Sequence, residues 1–359
     1  MPRIALVGTP QTGKTTLFCA LTGSDYATVV GQAAAGGGKG RVGVAKIQDD
    51  RLDKLSASFR PKKHTPAVVE FADSTSIVLS AEGRDKNNQI LAGLRNDTDG
   101  LCLVVPGYHA DDPSTPRTES EIRSEVHSLA TEFVFADLAI AEARIEKLKV
   151  QVTKPTPTRE KDQKELEVLK VLHAALSEGK PATSVALKGE DAKLVKGFRF
   201  LSEKPVIVAV NVPETMLGKP VTVAGFASVA VCAKLELELL GMEDEERKAF
   251  MGDYGLAKLA TPDLVRACFQ ALGLTYFFTA GDDECRAWII RRGDDAVEAA
   301  SKIHSDIARG FIAAEVVSFA DWDAAAGDMK LVKQRARLRQ EGKAYPVQDG
   351  DIINFKFAV

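Results

Sequence analysis

The sequence predicts an α/β fold made of three parts, and three observations support that prediction. A short apolar run at residues 4–7 leads directly into a glycine-rich loop and then a helical stretch, the order found in a parallel sheet. From about Glu119 apolar residues recur at helical spacing in two long stretches, separated by a proline-containing turn. From about Tyr276 short strand-like runs flank one helix, which we place around residues 301–311.

The composition excludes several classes of protein. Of 359 residues 45% are hydrophobic and 27% charged, and the net charge is −3, so no global positive field points to a nucleic-acid binder. The five cysteines are far apart and form no C-x-x-C pair, which argues against a disulfide framework and a zinc site. No apolar run is long enough for a membrane span, and the N-terminus lacks a signal peptide. We therefore expect a cytoplasmic monomer with no membrane partner.

The glycine-rich loop matches the phosphate-binding pattern G-x-x-x-x-G-K-[ST] between its strand and its helix. Glycines let backbone N–H groups turn toward phosphates, and the helix N-terminus adds its dipole. Lys14 would reach the β- and γ-phosphates as the catalytic cation, and the Thr15 hydroxyl would bind Mg²⁺. The predicted nucleotide contacts in this loop are Gly8, Thr9, Pro10, Gln11, Thr12, Gly13, Lys14, Thr15 and Thr16.

A phosphate-binding loop needs an acidic residue for its metal ion. Residues 68–72 are strand-like and end in Asp73, the position of a Walker-B carboxylate that acts through the metal or its water. Asp73 is therefore predicted to be catalytic and, together with Thr15, to hold Mg²⁺.

A later strand leads to the residues that a purine base would contact. Residues 205–210 are a second buried-type run, followed by Asn211-Val212-Pro213-Glu214. GTPases have N-K-x-D at the corresponding strand end, and its aspartate binds guanine. Valine and glutamate replace the lysine and the aspartate here, so the sequence does not support guanine selectivity. The predicted base contacts are Asn211, Val212 and Glu214, with Cys232 and Ala233 in the small-residue loop after the next strand.

With these motifs in view, the chain resembles the YchF or Obg-like ATPases, P-loop proteins of the translation-factor class, over essentially its whole length. The element at residues 211–214 resembles the family's N-x-x-E, which is associated there with a preference for ATP over GTP. Further matches, most of them to the family's C-terminal TGS domain, are residues 51–53, 279–281, 286–288, 302–304, 310–312 and 349–355. The resemblance implies ATP (or ADP or GTP) and Mg²⁺ as ligands, and the ribosome or RNA as partner.

Two departures from the family pattern concern hydrolysis. Ser76 replaces the glycine of the family's D-x-x-G, whose amide touches the γ-phosphate, and residues 36–40 of switch I offer no hydroxyl for Mg²⁺. The family also lacks the water-positioning glutamine of Ras-like GTPases. We therefore expect a slow ATPase. An adaptor that binds ATP or ADP with little hydrolysis is the alternative, and a GTPase is a weaker one.

The three parts have predicted boundaries. Residues 1–118 and 196–275 form the P-loop NTPase domain with a mixed sheet, and residues 119–195 form an inserted antiparallel helical hairpin. Residues 276–359 form a β-grasp domain, which resembles TGS.

A local basic cluster lies in this mildly acidic chain, at Lys330, Lys333, Arg335, Arg337 and Arg339. Contact with a phosphate backbone and a solvated helix face are both compatible with the sequence. The resemblance to ribosome-associated proteins favours RNA.

Overall fold

The computed structural model describes residues 1–34, 41–79 and 84–358. They form two compact units, and the first consists of Pro2–Gly43 and Glu70–Leu264. The second consists of Met1, Val44–Val69 and Val265–Val359. Within the described ranges no helix is both long and apolar enough to cross a membrane.

The strands in the described residues, in chain order, are β1 Arg3–Val7, β2 Arg41–Lys46, β3 Lys63–Thr65, β4 Val68–Asp73, β5 Gly100–Pro106, β6 Val206–Asn211, β7 Ala227–Val231, β8 Leu274–Thr279, β9 Glu284–Arg291, β10 Phe311–Ser318, β11 Arg339–Glu341 and β12 Asp351–Phe357. The helices are α1 Lys14–Thr22, α2 Tyr26–Ala34, α3 Asp50–Phe59, α4 Arg84–Asp97, α5 Glu119–Gln151, α6 Arg159–Ser177, α7 Gly189–Val195, α8 Ala233–Leu240, α9 Asp244–Asp253, α10 Thr261–Ala271, α11 Ala296–Ile303, α12 Ser305–Arg309, α13 Phe319–Ala324 and α14 Met329–Gln334.

The first sheet has the order β2-β4-β1-β5-β6-β7. β1 runs parallel to β4 and β5, and β6 runs parallel to β5 and β7. Leu6 pairs with Asp73, and Asn211 pairs with both Pro106 and Val231. The loop after β1, the end of β4 and the end of β6 therefore meet at one edge of the sheet, where α/β proteins bind ligands.

The predicted α/β class is confirmed, and the burial of the central strands explains why their sequences predicted them. β5 is buried along six of its seven residues, and β6 along five of six, so each shows a continuous apolar run rather than an alternating one. Side chains of α5 pack onto this sheet in one core, among them Val126, Leu129 and Phe133.

The remainder of α5 packs against α6. Ala141, Leu148, Leu169 and Leu172 are buried in this second core. Helix α5 starts with a capping box, in which Thr118 and Glu121 exchange hydrogen bonds between side chain and backbone.

The second unit contains a sheet of order β11-β10-β12-β8-β9-β3. β8 and β9 are antiparallel, as are β10 and β12, whereas β12 and β8 run parallel. Phe277, Ile353 and Phe355 pack beneath α11 in its core.

The single helix expected at residues 301–311 is two helices. Helix α11 ends at Ile303, and the backbone of His304 is extended. Nδ1 of His304 accepts a hydrogen bond from the amide of Asp306 at 3.1 Å and so caps α12. Helical periodicity continues across such a short break, which is why the pattern did not show it.

Candidate nucleotide-binding site

The loop between β1 and α1 has the backbone shape that an anion requires. Gly13 has φ +85° and precedes α1, and Gln11 also has a positive φ of 63°. A Cβ atom at Gly13 would collide with Nδ2 of Asn211, and one at Gly8 would collide with the carbonyl oxygen of Val104. Residues with positive φ turn successive N–H groups toward one side, which makes an anion-binding concavity at the helix N-terminus.

Lys14 lies inside this concavity with its side chain folded back on the loop. Its Nζ donates to the carbonyl of Thr9 at 2.7 Å and to Oγ of Ser76 at 2.9 Å, and the residue is only 6% exposed. Burial lowers the pKa of Lys14 to about 8, although the carboxylates of Asp73 and Glu125 oppose that shift. Burial therefore makes the ammonium group easier to deprotonate than a solvated lysine, although it stays mostly charged at pH 7.

The side chains of Thr15 and Asp73, the two predicted ligands of Mg²⁺, lie in contact with each other. Oγ1 of Thr15 donates to Oδ2 of Asp73 at 3.0 Å, and Asp73 is 8% exposed at the end of β4. Burial raises the pKa of Asp73, and the Thr15 hydrogen bond and the charges of Arg41 and Lys14 oppose the shift.

A hydroxyl and a carboxylate are the hard oxygen donors that Mg²⁺ prefers, so these residues fit the ion. No group of three or more His, Cys, Asp or Glu side chains with metal-binding geometry occurs in the parts of the chain that the structure describes. In nucleotide sites Mg²⁺ usually takes several of its ligands from phosphate and water.

Arg41 is a site residue that the sequence analysis missed. Its NH1 lies 3.3 Å from Oδ2 of Asp73. Arg41 begins β2 directly after the glycine run, and a basic residue at that position was the only signal in the sequence.

Glu125 is a second missed residue, and it comes from α5. Its Oε1 accepts from the Thr9 hydroxyl at 2.8 Å, and its Oε2 accepts from Arg117 at 2.6 Å. No motif in the sequence connects this glutamate with the phosphate loop 116 residues earlier.

Asn211 joins the phosphate loop to the loop that follows β7. Its Nδ2 donates to the carbonyl of Thr12 at 3.0 Å, and its Oδ1 accepts from the amide of Ala233 at 3.1 Å. The structure therefore brings three predicted site residues together through one buried amide.

The other predicted base contacts differ in accessibility. The side chains of Val212 and Cys232 are buried in the core under the sheet. The carboxylate of Glu214 is partly exposed, accepts from the Tyr254 hydroxyl at 3.2 Å, and lies 3.8 Å from Nζ of Lys234. A base contact from Val212 or Cys232 would have to use backbone atoms, whereas Glu214 can offer its side chain.

The two predicted departures from the family pattern have different outcomes. Ser76 lies beside the phosphate loop, where its hydroxyl accepts from Lys14. Residues 36–40 lie outside the described residues, so the prediction for switch I stays a prediction.

The predicted basic cluster is distributed over a helix, a turn and a strand of the second unit. Lys330 and Lys333 lie on α14, and Arg339 lies on β11. The three arginines have partners, which are the carbonyl of Ala324 for Arg335, Asp321 for Arg337, and Glu341 and Asp351 for Arg339. The charges of Arg337 and Arg339 are therefore paired with carboxylates within the chain, whereas the partner of Arg335 is an uncharged carbonyl.

Comparisons with known proteins agree with the predicted family. A family model described as "YchF-GTPase_C: Protein of unknown function (DUF933)" matches residues 274–358. The chain is 35% identical to the ribosome-binding ATPase YchF of Bacillus subtilis (strain 168), over 99% of this chain and 98% of that protein. It is 32% identical to the protein of the same name from Escherichia coli O157:H7, over 99% of both chains.

A solved structure has the same fold. The structure titled "Structure of the Schizosaccharomyces pombe YchF GTPase" superposes with a TM-score of 0.80 at 22% identity. The match covers 99% of this chain and 97% of that one.

Proposed function

The chain belongs to the YchF family, and from that premise we propose that it is a slow, Mg²⁺-dependent ATPase that acts as a nucleotide-dependent switch on the ribosome. The observation that supports this most directly is the hydrogen bond from Thr15 to Asp73 at the carboxyl edge of the first sheet, within electrostatic reach of the Lys14 ammonium. We propose the ribosome as partner because the relatives are named ribosome-binding ATPases.

Catalysis in such a site is positioning and charge neutralisation. The amides of the phosphate loop bind the β- and γ-phosphates, and Lys14 places its ammonium between them. Thr15 and Asp73 would hold Mg²⁺, which when bound would neutralise charge that develops on the phosphoryl oxygens. Lys14 Nζ makes two hydrogen bonds within the described residues, and its third proton can be donated to a phosphate oxygen.

Adenine is the proposed base. Glu214 is an acceptor on the base side of the site, yet its carboxylate already accepts from Tyr254. The lysine and aspartate of the guanine-binding N-K-x-D are absent, so the site lacks the group that makes guanine binding selective. Asn211 supports the two loops around the base by bonding Thr12 and Ala233.

The adaptor with little hydrolysis is the second candidate, and Ser76 favours it. Its hydroxyl accepts a hydrogen bond from the ammonium of Lys14, where the family's glycine would offer only an amide. The adaptor and the slow ATPase share every binding residue and differ only in turnover.

We also propose the three-part organisation predicted from the sequence. In it the α5–α6 pair is the inserted hairpin of residues 119–195, and the sheet of the second unit is a β-grasp domain of the TGS type at residues 276–359. A ribosome-bound state implies a cytoplasmic protein. Lys330 and Lys333, on α14, are the proposed contacts of the basic cluster with RNA.

The test compares binding and turnover of ATP and GTP by the purified protein with Mg²⁺ present. We expect ATP to bind at least about tenfold more tightly than GTP, a difference of about 1.4 kcal/mol. Lys14→Ala should lose about 1.5–3 kcal/mol of triphosphate binding, the usual value of a charge-assisted hydrogen bond. Lys149→Ala, a matched lysine on the exposed face of α5, should leave affinity unchanged.

Three outcomes would contradict parts of the proposal. Unchanged affinity in a folded Lys14→Ala protein would refute the phosphate site, and a preference for GTP would refute the base assignment. Binding without measurable turnover would favour the adaptor. Sedimentation with ribosomes, in the presence and absence of ATP, tests the partner.

A further inference from the structure

Arg41 forms an ion pair with the carboxylate that the proposed function assigns to Mg²⁺. Its NH1 lies 3.3 Å from Oδ2 of Asp73, and the two side chains are only 19% and 6% exposed. The same Oδ2 accepts the hydroxyl of Thr15 at 3.0 Å. One carboxylate oxygen of Asp73 therefore both accepts a hydrogen bond from a hydroxyl and forms an ion pair with a guanidinium.

The cationic side chains near this carboxylate would repel a metal ion that binds to it. Lys14 also acts on Asp73 by its charge, so two cationic side chains act on one carboxylate. Mg²⁺ would take its place at the same buried oxygens, and two cations in close contact repel each other strongly where solvent is excluded. The phosphates of a nucleotide, in contrast, offer new acceptors for a displaced guanidinium.

We propose that Arg41 is the built-in counter-cation of Asp73 and that it competes with Mg²⁺ for this carboxylate. This inference rests on the proposed nucleotide-binding function. When no metal is present, Arg41 neutralises Asp73 and thereby lets the triphosphate approach without repulsion from that carboxylate. When Mg²⁺ enters with the nucleotide, Arg41 has to leave Oδ2, and this requirement weakens the apparent affinity for the ion.

The proposal predicts two effects of opposite sign for Arg41→Gln. The apparent affinity for Mg²⁺ should rise about tenfold, measured as a lower half-saturating Mg²⁺ concentration for nucleotide binding, because no guanidinium has to be displaced. The affinity for nucleotide in EDTA should instead fall about tenfold, because Asp73 then faces the phosphates without compensation. A residue with only a structural role would not move these two quantities in opposite directions.

The experiment uses the full chain and a fluorescent, non-hydrolysable ATP analogue, titrated in EDTA and at a series of Mg²⁺ concentrations. Bound Mn²⁺, counted by electron paramagnetic resonance, gives a second readout that does not depend on turnover. Arg3→Gln is the matched control, since Arg3 of β1 pairs at 2.8 Å with Glu70, an acidic residue of β4 three positions before Asp73. Circular dichroism reports whether each variant is folded.

Two further variants make the test specific. Arg41→Lys keeps the charge, so its Mg²⁺ dependence should stay within about threefold of the wild type. Arg41→Met, which also removes the charge, replaces the glutamine variant should that one fail to fold. In an Asp73→Asn background, Arg41→Gln should have no further effect on Mg²⁺ dependence, because the shared carboxylate is gone.

The outcomes separate this inference from the function on which it rests. Opposite shifts in Arg41→Gln, absent in Arg3→Gln, would support the competition. Equal Mg²⁺ dependence in the wild type and Arg41→Gln, or a parallel loss of affinity with and without Mg²⁺, would overturn it while leaving nucleotide binding intact. A wild-type protein that binds no nucleotide under either condition would refute both.

Discussion

The pH dependence of nucleotide affinity is a direct consequence of where Lys14 lies. Its pKa in the nucleotide-free protein is lowered to about 8 by burial, and its ammonium is held by Thr9 and Ser76. A bound triphosphate adds negative charge beside the group and raises its pKa again. Binding should therefore take up a proton when the pH is above 8.

The magnitude follows from that pKa. At pH 9 about one tenth of Lys14 is still charged in the free protein, so affinity should fall about tenfold per pH unit above 8, or about 1.4 kcal/mol. The fall should end at the pKa that Lys14 has in the complex. Below pH 8 Lys14 should contribute no pH dependence.

Calorimetric titration of ATP between pH 7.5 and 9.5, in two buffers of different ionisation enthalpy, gives both affinity and proton uptake. The range starts above the phosphate ionisation near pH 6. Lys14→Arg is the control, because a guanidinium stays charged throughout this range. A wild-type profile parallel to that of Lys14→Arg, without proton uptake, would refute this account of the site.

Stability should change in the opposite direction over the same range. Because the pKa of Lys14 is lower in the folded than in the unfolded chain, the unfolded chain binds more protons between about pH 8 and 10.5. The free energy of unfolding of the nucleotide-free protein should therefore gain up to about 3 kcal/mol as pH rises through this window. Lys14→Met should lack this gain in urea titrations at pH 8 and 10.

Three further predictions concern contacts around the site and beneath it. Asn211→Ala removes the hydrogen-bond partner of a buried carbonyl of the phosphate loop and of the first amide of α8. The free energy of unfolding, measured by urea denaturation, should therefore fall by about 2–4 kcal/mol. Ser76→Ala removes a hydrogen-bond acceptor of Lys14, so without nucleotide the melting temperature should fall, whereas ATP should bind about threefold more tightly. Weaker ATP binding would mean that Ser76 contacts the nucleotide. Asp137→Ala leaves the guanidinium of Arg95 buried without its carboxylate, and should cost about 3–5 kcal/mol of stability by the same urea assay with nucleotide affinity unchanged.

The phosphate loop was predictable because its information is local. A buried strand, two glycines that backbone conformation and close packing require, and a helix start occupy one short stretch, so each constraint is visible in residue types. The approach of Thr15 to Asp73 was predictable for a related reason. Parallel strands end at one edge, and Leu6 pairs with Asp73 across β1 and β4.

The break at His304 shows where local pattern fails. Residues on both sides continue the helical spacing, and only a single extended backbone conformation separates α11 from α12. A hydrophobic pattern averages over such a residue, whereas the cap that His304 gives to α12 depends on one rotamer.

The α/β class, the glycine-rich loop with Lys14, and the place of Asp73 at the end of a strand can be read from the sequence, because spacing and burial dictate those features locally. Which charges surround them depends on the packing of distant segments. Arg41 contacts Asp73 across 32 residues, Ser76 reaches Lys14 across 62, and Glu125 reaches Thr9 across 116. A contact between long polar side chains depends on strand register and helix placement, and the hydrophobic periodicity of the sequence does not reveal which polar side chains will meet. The electrostatics of the site therefore come from the packed fold, whereas the site's location is encoded in the sequence.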